Sequence, residues 1–399
     1  MRTRFARLGT GLTVGALVGI AAWGVTPSSA APTNSSLVMA VFGDSPYGTT
    51  PTDTTQFAAS PAFVDSINSD ADVSSVVHVG DIHSGKQFCT ESYDRSIAEL
   101  WTHFEDSLVY TPGDNEWADC HKPAQGGGVY KNGFIDYSPN TATTDYAGAD
   151  PFANLGLVRQ LFFAEPGSTL GGGNLRVQSQ ADHYDAAHPE DSQFVENVVW
   201  SRKGVVFVTL NIPGGSNNDT DPWFKAPSMS TTQAREVAER TAADLRWLDA
   251  AFDRAVADSA RAVVVIEQAD MWDLDGKPAS HLSQYEPFVQ RLASRANEYG
   301  GPVLLLNGDS HAYRSDNPYS STAVCLLEDA NGVEQPCQSE VGNHPNAPDV
   351  PNLHRLVVHG STLPLEWLKL SIAVATPALP AAGPHSFGPF SWERVRPSA

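Results

Sequence analysis

Three observations predict an α/β fold. Short apolar runs recur at residues 37–42, 75–79, 108–110, 205–210, 262–266 and 303–306. Helical patterns separate several of them, and each run leads within a few residues into a carboxylate or amide side chain. Most runs do not alternate with polar residues, as expected of strands covered on both faces. Strands alternating with helices indicate helices packed on a mostly parallel sheet.

Three longer helices are expected. Residues 90–105 carry Ile97, Leu100, Trp101 and Phe104 at helical spacing. Residues 232–259 carry Val237, Leu245, Leu248, Ala251 and Phe252 behind Thr231 as a cap. Residues 283–299 carry Phe288, Leu292 and Ala296 and stop at Gly300 and Gly301. The stretch 118–191 is rich in Gly, Pro, Asn, Asp and Ser. It reads as a long surface insertion with one short helix near 155–163. A second loop-rich stretch covers 315–353, and residues 373–399 read as a Pro-rich tail. There is no internal repeat, so one elaborated domain over 36–372 is expected.

The 399 residues include 46 Asp and Glu against 25 Lys and Arg, a net charge of −21. A surface that acidic repels nucleic-acid backbones and anionic membranes, which disfavours both as partners. At 41% hydrophobic residues the chain is too apolar for a disordered protein. Arg2, Arg4 and Arg7 precede an apolar stretch at 12–25, and Ser28, Ser29, Ala30 and Ala31 follow. That is the layout of a secretory signal over residues 1–31. The apolar stretch falls short of the roughly 20 residues of a spanning helix, so a secreted protein with no membrane span after cleavage is expected. Export favours disulfides among Cys89, Cys120, Cys325 and Cys337. Of three possible pairings, Cys89–Cys120 and Cys325–Cys337 are preferred, since each would staple loops expected to be neighbours.

The chemistry lies where the runs end. Gly43 and Asp44 follow the first, Gly80 and Asp81 the second, and Gly113, Asp114, Asn115 and Glu116 the third. Asn211 follows the fourth, Glu267 and Gln268 the fifth, and Asn307 through His311 the sixth. In open α/β sheets sites form beyond the carboxyl ends of strands, so these groups should converge. Each glycine is expected to let the chain turn sharply and bring its carboxylate inward. Clustered carboxylates stay ionised only with cations among them, which points to divalent metal.

With these segments the sequence resembles the calcineurin-like metallophosphoesterases, especially the branch that includes purple acid phosphatases. The matching segments begin at Asp44, Asp81 and Asp114. They continue through Gln268–Ala269–Asp270–Met271–Trp272 and end in Gly308–Asp309–Ser310–His311–Ala312–Tyr313–Arg314. The hairpin-like stretch from Val199 to Asn211 is also similar. The resemblance implies a four-layer α/β/β/α sandwich and two divalent ions (Mn, Mg, Ca, Zn or Fe). It implies Asp81 bridging them, Asp44 and His311 on one, and Asp114, Gln268 and Asp309 on the other. It implies hydrolysis of a small phosphorylated substrate by a metal-activated water, with Asn115 in the place of a catalytic histidine. The chain departs from the family at Pro46, Ser84, Asp114, Asn115, Gln268 and Asp309, mostly by carboxylate or amide replacing histidine. Such a site is harder and more anionic, favouring Mg, Mn or Ca, or it has lost its metals. Glu267 could ligate instead of Gln268, and His83 could replace a lost histidine.

Two other readings stay open. Gly43–Asp44–Ser45 resembles the block of the serine esterases named for it, with Ser45 as nucleophile and a late histidine as base. A sandwich that binds a ligand without turnover is the other.

Overall fold

The protein is described by a computed structural model covering residues 36–138, 149–218, 221–374 and 383–397. The expected signal at 1–31 lies outside the described residues.

The chain opens with β1 (Ser36–Phe42), α1 (Thr55–Asn68), β2 (Val73–His78), α2 (Glu91–Trp101) and β3 (Ser107–Tyr110). A separate hairpin of β4 (Val129–Lys131) and β5 (Phe134–Asp136) follows, then α3 (Pro151–Phe162), β6 (Leu170–Gly171), β7 (Gln178–Ser179) and the short α4 (Gln180–His183). Next come β8 (Val198–Arg202), β9 (Val205–Thr209), the single turn α5 (Gly214–Asn217), the long α6 (Thr231–Ala257) and β10 (Ala262–Ile266). The segment α7 (Glu286–Tyr299), β11 (Val303–Asn307), β12 (Arg314–Asp316), β13 (Leu326–Glu328), β14 (Glu334–Pro336) and β15 (Leu353–Val357) completes that half. The chain ends in β16 (Trp367–Ala373), β17 (Ser386–Phe387) and β18 (Phe390–Val395).

One sheet runs in the order β17-β18-β16-β1-β2-β3-β6 and the other β14-β13-β12-β15-β11-β10-β9-β8-β7. The central strands β1, β2 and β3 are parallel, as are β9, β10, β11 and β15. Side chains alternate across each strand, so each sheet has two covered faces. On β1, Leu37, Met39 and Val41 join Phe207, Val264, Leu304 and Leu306 in a core between the sheets. Val38, Ala40 and Phe42 of the same strand pack with Phe63 of α1, Ile97 of α2 and Val158 of α3. On the far side, Val206, Val263 and Leu305 pack beneath Leu248 of α6 and Leu292 of α7. The layers are therefore helix, sheet, sheet, helix, the sandwich that the resemblance implies.

The caps follow the sequence closely. Thr90 accepts from Tyr93 N at the start of α2, and Gly300 ends α7 in the left-handed region at φ 68°. The cap of α6 is Ser230 rather than Thr231, because the Ser230 hydroxyl accepts from Gln233 N. The sequence pattern does not reveal helix α1: Gln56 and Ser60 are buried and Pro61 lies within it, so its apolar spacing is weak. Part of the expected insertion is structural, since α3 carries Val158 and Phe162 into the core and β6 pairs with β3. The domain also passes the expected boundary at 372. Strand β18 pairs along β16 from Trp367 opposite Val395 to Ile372 opposite Phe390, burying Phe390 and Trp392. The disulfides are Cys89–Cys120 and Cys325–Cys337, the preferred pairing.

Two outcomes are predicted. Leu306, wholly buried between the sheets, should cost about 2–5 kcal/mol as Leu306→Ala in urea unfolding. His354 lies against Phe387 and Trp392 with Nε2 2.9 Å from Ser315 Oγ, and burial lowers its pKa from about 6.5 to about 4. Buried His78 and His83 are lowered to about 4 in the same way. The unfolded chain thus binds these protons at higher pH than the folded one. Stability should be full above pH 6.5 and fall as pH drops toward 4, by on the order of 3 kcal/mol per histidine. A His354→Gln variant should show a shallower fall in urea midpoint over that window.

Candidate functional site

The carboxyl ends of β1, β2, β3, β10 and β11 meet at one end of the sandwich. Backbone bonds stitch the ends together: Asp44 N donates to Gly80 O, Gly308 N to Gln268 O, and Ala269 N to Ile212 O. Thr111 Oγ1 crosses between the sheets to Leu210 O at 3.0 Å. Above this floor lies a cleft of about 610 Å³ lined by Tyr47, Asp81, Asp114, Asn115, Asp309 and His311, with Lys86, Lys122, Lys277 and His281 on its walls.

The turns are not made as the sequence suggests. Gly43, Gly113 and Gly308 are not left-handed; among the glycines before these carboxylates, Gly80 alone is. Instead Asp44, Asp81, Asp309 and His311 take φ values of 48°, 62°, 73° and 63°. Asp and His tolerate this region better than most residues, at a strain cost of order 1–3 kcal/mol each. Glycine is required here for closeness: a Cβ on Gly113 would lie 2.0 Å from Asp81 Oδ1.

Asp44, Asp81 and His311 bring one ligand atom each within 4.8 Å of one another. Asp44 and Asp81 are almost wholly buried, and among the described residues neither is paired with Lys or Arg. Asp44 Oδ1 accepts from Asp309 N at 3.1 Å, while its buried Oδ2 has no hydrogen-bond partner. Burial pushes the carboxyls of Asp44 and Asp81 well above their usual range, and the charge of Asp114 adds to this. His311 Nε2 stands 3.7 Å from Asp44 Oδ1. Burial lowers the imidazole to about 4, so near neutrality the contact is that of a neutral ring.

Asp81 is oriented by two side chains. The Tyr47 hydroxyl donates to its Oδ2 at 2.6 Å, and Asn115 Nδ2 donates to the same oxygen at 2.7 Å. Asn115 Nδ2 also reaches the Tyr47 hydroxyl at 3.1 Å, and Gln125 Nε2 donates to Asn115 Oδ1 at 2.9 Å. Beneath them Glu116 Oε1 accepts from the Tyr110 hydroxyl (2.5 Å), Gly113 N (2.7 Å) and Asp81 N (3.2 Å).

Asp114, Gln268 and Asp309 form a second group. Gln268 Nε2 donates to Asp114 Oδ1 at 3.1 Å and to Asp309 Oδ1 at 3.3 Å, while its Oε1 accepts from Gly214 N at 2.6 Å. Gln268 was expected as a metal ligand; in this geometry its oxygen is taken by the backbone and its amide nitrogen faces the carboxylates. Asp309 Oδ2 accepts from Asp270 N at 3.1 Å.

Other expectations resolve differently. Glu267 is buried and lies in the field of Asp244, Asp270 and Arg355, and it does not line the cleft. His83 is wholly buried with Nδ1 3.2 Å from Ser84 O. Ser45 lines a small hollow with Phe63 and Trp101 on the helical side of β1, away from the cleft. The sequence reading missed Tyr47, His281 and Tyr285. Tyr47 sits three residues after Asp44 in the same loop, its only sequence signal; His281 and Tyr285 are far from any motif.

The sequence matches no protein-family model and no curated protein. Among solved structures it is similar to a purple acid phosphatase from yellow lupin (Lupinus luteus) seeds, with 11% identity and a TM-score of 0.40. The match covers 91% of this chain and 52% of that one, so this chain spans about half of its length. A likeness of that identity and score assigns neither family nor activity.

Tyr47→Phe removes a buried donor to Asp81 and leaves Asn115 short of an acceptor. It should lower stability by about 1–3 kcal/mol in urea unfolding at pH 7.

Proposed function

We propose that this protein is a secreted, divalent-cation-dependent phosphoesterase acting on small phosphorylated substrates. The observation that carries the reading is the grouping of Asp44, Asp81 and His311 at the floor of the cleft, two buried carboxylates with no cationic side chain between them. Uncompensated buried carboxylates are costly, and a cation bound there would offset that cost. Two carboxylate oxygens and a neutral imidazole are a fitting donor set, and the unpartnered Asp44 Oδ2 leaves ligating capacity unused. A divalent ion held by these three residues would supply the positive charge that an anionic phosphate needs over this floor.

The chain's own residues do the rest. Tyr47 and Asn115 hold the Asp81 carboxylate in one orientation, so it need not reorganise when substrate arrives. Lys86 lines the cleft and has no ion pair among the described residues, which leaves its ammonium available to a phosphate oxygen. Lys122 is committed to Asp119 at 2.6 Å. The half-buried His281 on the wall is positioned to exchange a proton with a leaving group, a task that the Asn115 amide cannot perform. Export is supported by the two disulfides and the signal-like start of the sequence. No described helix is long and apolar enough to cross a membrane.

The test uses aryl phosphate mono- and diesters with the protein stripped of metal and resupplied with Mn, Mg, Ca, Zn or Fe. Phosphate-ester cleavage should vanish on stripping and return with a preferred ion. Asp81→Asn should lower kcat by about a hundredfold or more, while Ser45→Ala should leave it nearly unchanged. Cleavage that survives stripping, or that falls with Ser45→Ala, would sink the reading. Binding of a phosphate ester without turnover would favour a ligand-binding sandwich.

A further inference from the structure

The second carboxylate group, Asp114 and Asp309, has already been given its counterpart by the chain. Gln268 Nε2 lies between them, 3.1 Å from Asp114 Oδ1 and 3.3 Å from Asp309 Oδ1. A primary amide has two N–H donors, so each carboxylate can receive one. The orientation of that amide is not free. Its Oε1 accepts the Gly214 N–H at 2.6 Å, and a backbone N–H can only donate. Reversing the amide would set two donors against each other at Gly214 and an oxygen against two carboxylates.

The peptide unit supplying that N–H is itself held from its other end. The Tyr285 hydroxyl donates to Pro213 O at 3.1 Å, the carbonyl of the same peptide group. Ser216 N donates to Tyr285 Oη at 3.0 Å, so the phenol is fixed by the turn it supports. There is little slack in the turn: a Cβ on Gly214 would lie 2.5 Å from Asp309 Oδ1 and 3.0 Å from Asp114 Oδ1. Tyr285, the Pro213–Gly214 peptide and Gln268 thus form a relay that points an amide donor at the two carboxylates.

We infer that the Gln268 carboxamide occupies the position of a second cation, so that the cleft takes a single divalent ion, held by Asp44, Asp81 and His311. This rests on the cation-dependent reading above and narrows it. The two-ion expectation from the sequence is replaced, because a neutral donor fixed by the backbone satisfies Asp114 and Asp309 without metal. Gln268 is a positioning residue: it holds Asp114 and Asp309, and Asp309 in turn donates its N–H to Asp44 Oδ1 at 3.1 Å.

The experiment is equilibrium dialysis of the full chain against Mn²⁺, with bound metal counted by elemental analysis and the spectrum read by electron paramagnetic resonance. One Mn²⁺ per chain with an uncoupled signal is expected. Gln268→Glu keeps the acceptor for Gly214 N–H but turns a third carboxylate oxygen toward Asp114 and Asp309. It should raise the count to two per chain and give a spin-coupled pair, and Gln268→His should do the same. Two ions in the unaltered protein would overturn the inference while leaving the cation-dependent function standing. A count that stays at one in folded Gln268→Glu and Gln268→His would overturn it as well. No bound Mn²⁺ in the unaltered protein would overturn both readings. If the variants do not fold, the count in the unaltered protein decides.

Discussion

The structure is organised by one constraint: carboxylates from both sheets end in the same junction beneath the cleft, most of them buried, and each has to find a donor there. Burial alone would drive Asp44, Asp81, Glu116 and Asp309 toward protonation. The protein answers with side-chain donors such as Tyr47, Asn115 and Tyr110 and with N–H groups of its own backbone. Asp309 N serves Asp44, Asn115 N serves Asp81, Gly113 N serves Glu116 and Asp270 N serves Asp309. Because the donors to Asp44, Asp81 and Asp309 each come from a different strand end, moving one of those donor loops uncovers a carboxylate of another. The left-handed backbone at Asp44, Asp81 and Asp309 is held in place by this mutual dependence.

A layer of buried ions supports the floor from behind. Arg355 on β15 is wholly buried and reaches Asp270 at 2.6 Å, Asp316 at 2.9 Å and Glu340 at 2.7 Å. Asp270 in turn accepts from Ser310 Oγ at 3.0 Å, next to His311. Across the cleft, Arg240 of α6 pairs with Glu236 and donates to Asn217 O and Asn211 O, anchoring the turn that carries Gly214. Buried pairs contribute little net stability over apolar packing, but breaking one strands a charge at a cost of about 3–5 kcal/mol. Their effect here is to fix orientation, which a site that binds an anion needs before its substrate arrives.

The layered fold and the convergence of its strand ends were legible because both follow from short-range patterns. Non-alternating runs such as 262–266 and 303–306 announce strands covered on both faces, and acidic or amide residues follow directly. The disulfide pairing was legible for the same reason, since Cys89 and Cys120 flank two of those ends. Helix α1 escaped because its buried face includes Gln56 and Ser60, which mimic a polar surface. Strand β18 escaped because it pairs with a partner some twenty residues earlier, across a proline-rich stretch that reads as a tail.

What the sequence determined by itself is the set of groups brought to the junction: Asp44, Asp81, Asp114, Gln268, Asp309 and His311 are ordered along the chain by the strands that precede them. What only the tertiary structure decided is what each group does there. The direction of the Gln268 amide depends on the Gly214 N–H and, through it, on Tyr285 of another element. The orientation of Asp81 depends on a Tyr47 hydroxyl whose loop is laid beside it by the pairing of β1 with β2. Hydrogen-bond donors and acceptors are directional and act over about 3 Å, so their assignment follows from how distant segments pack and not from the order of residues.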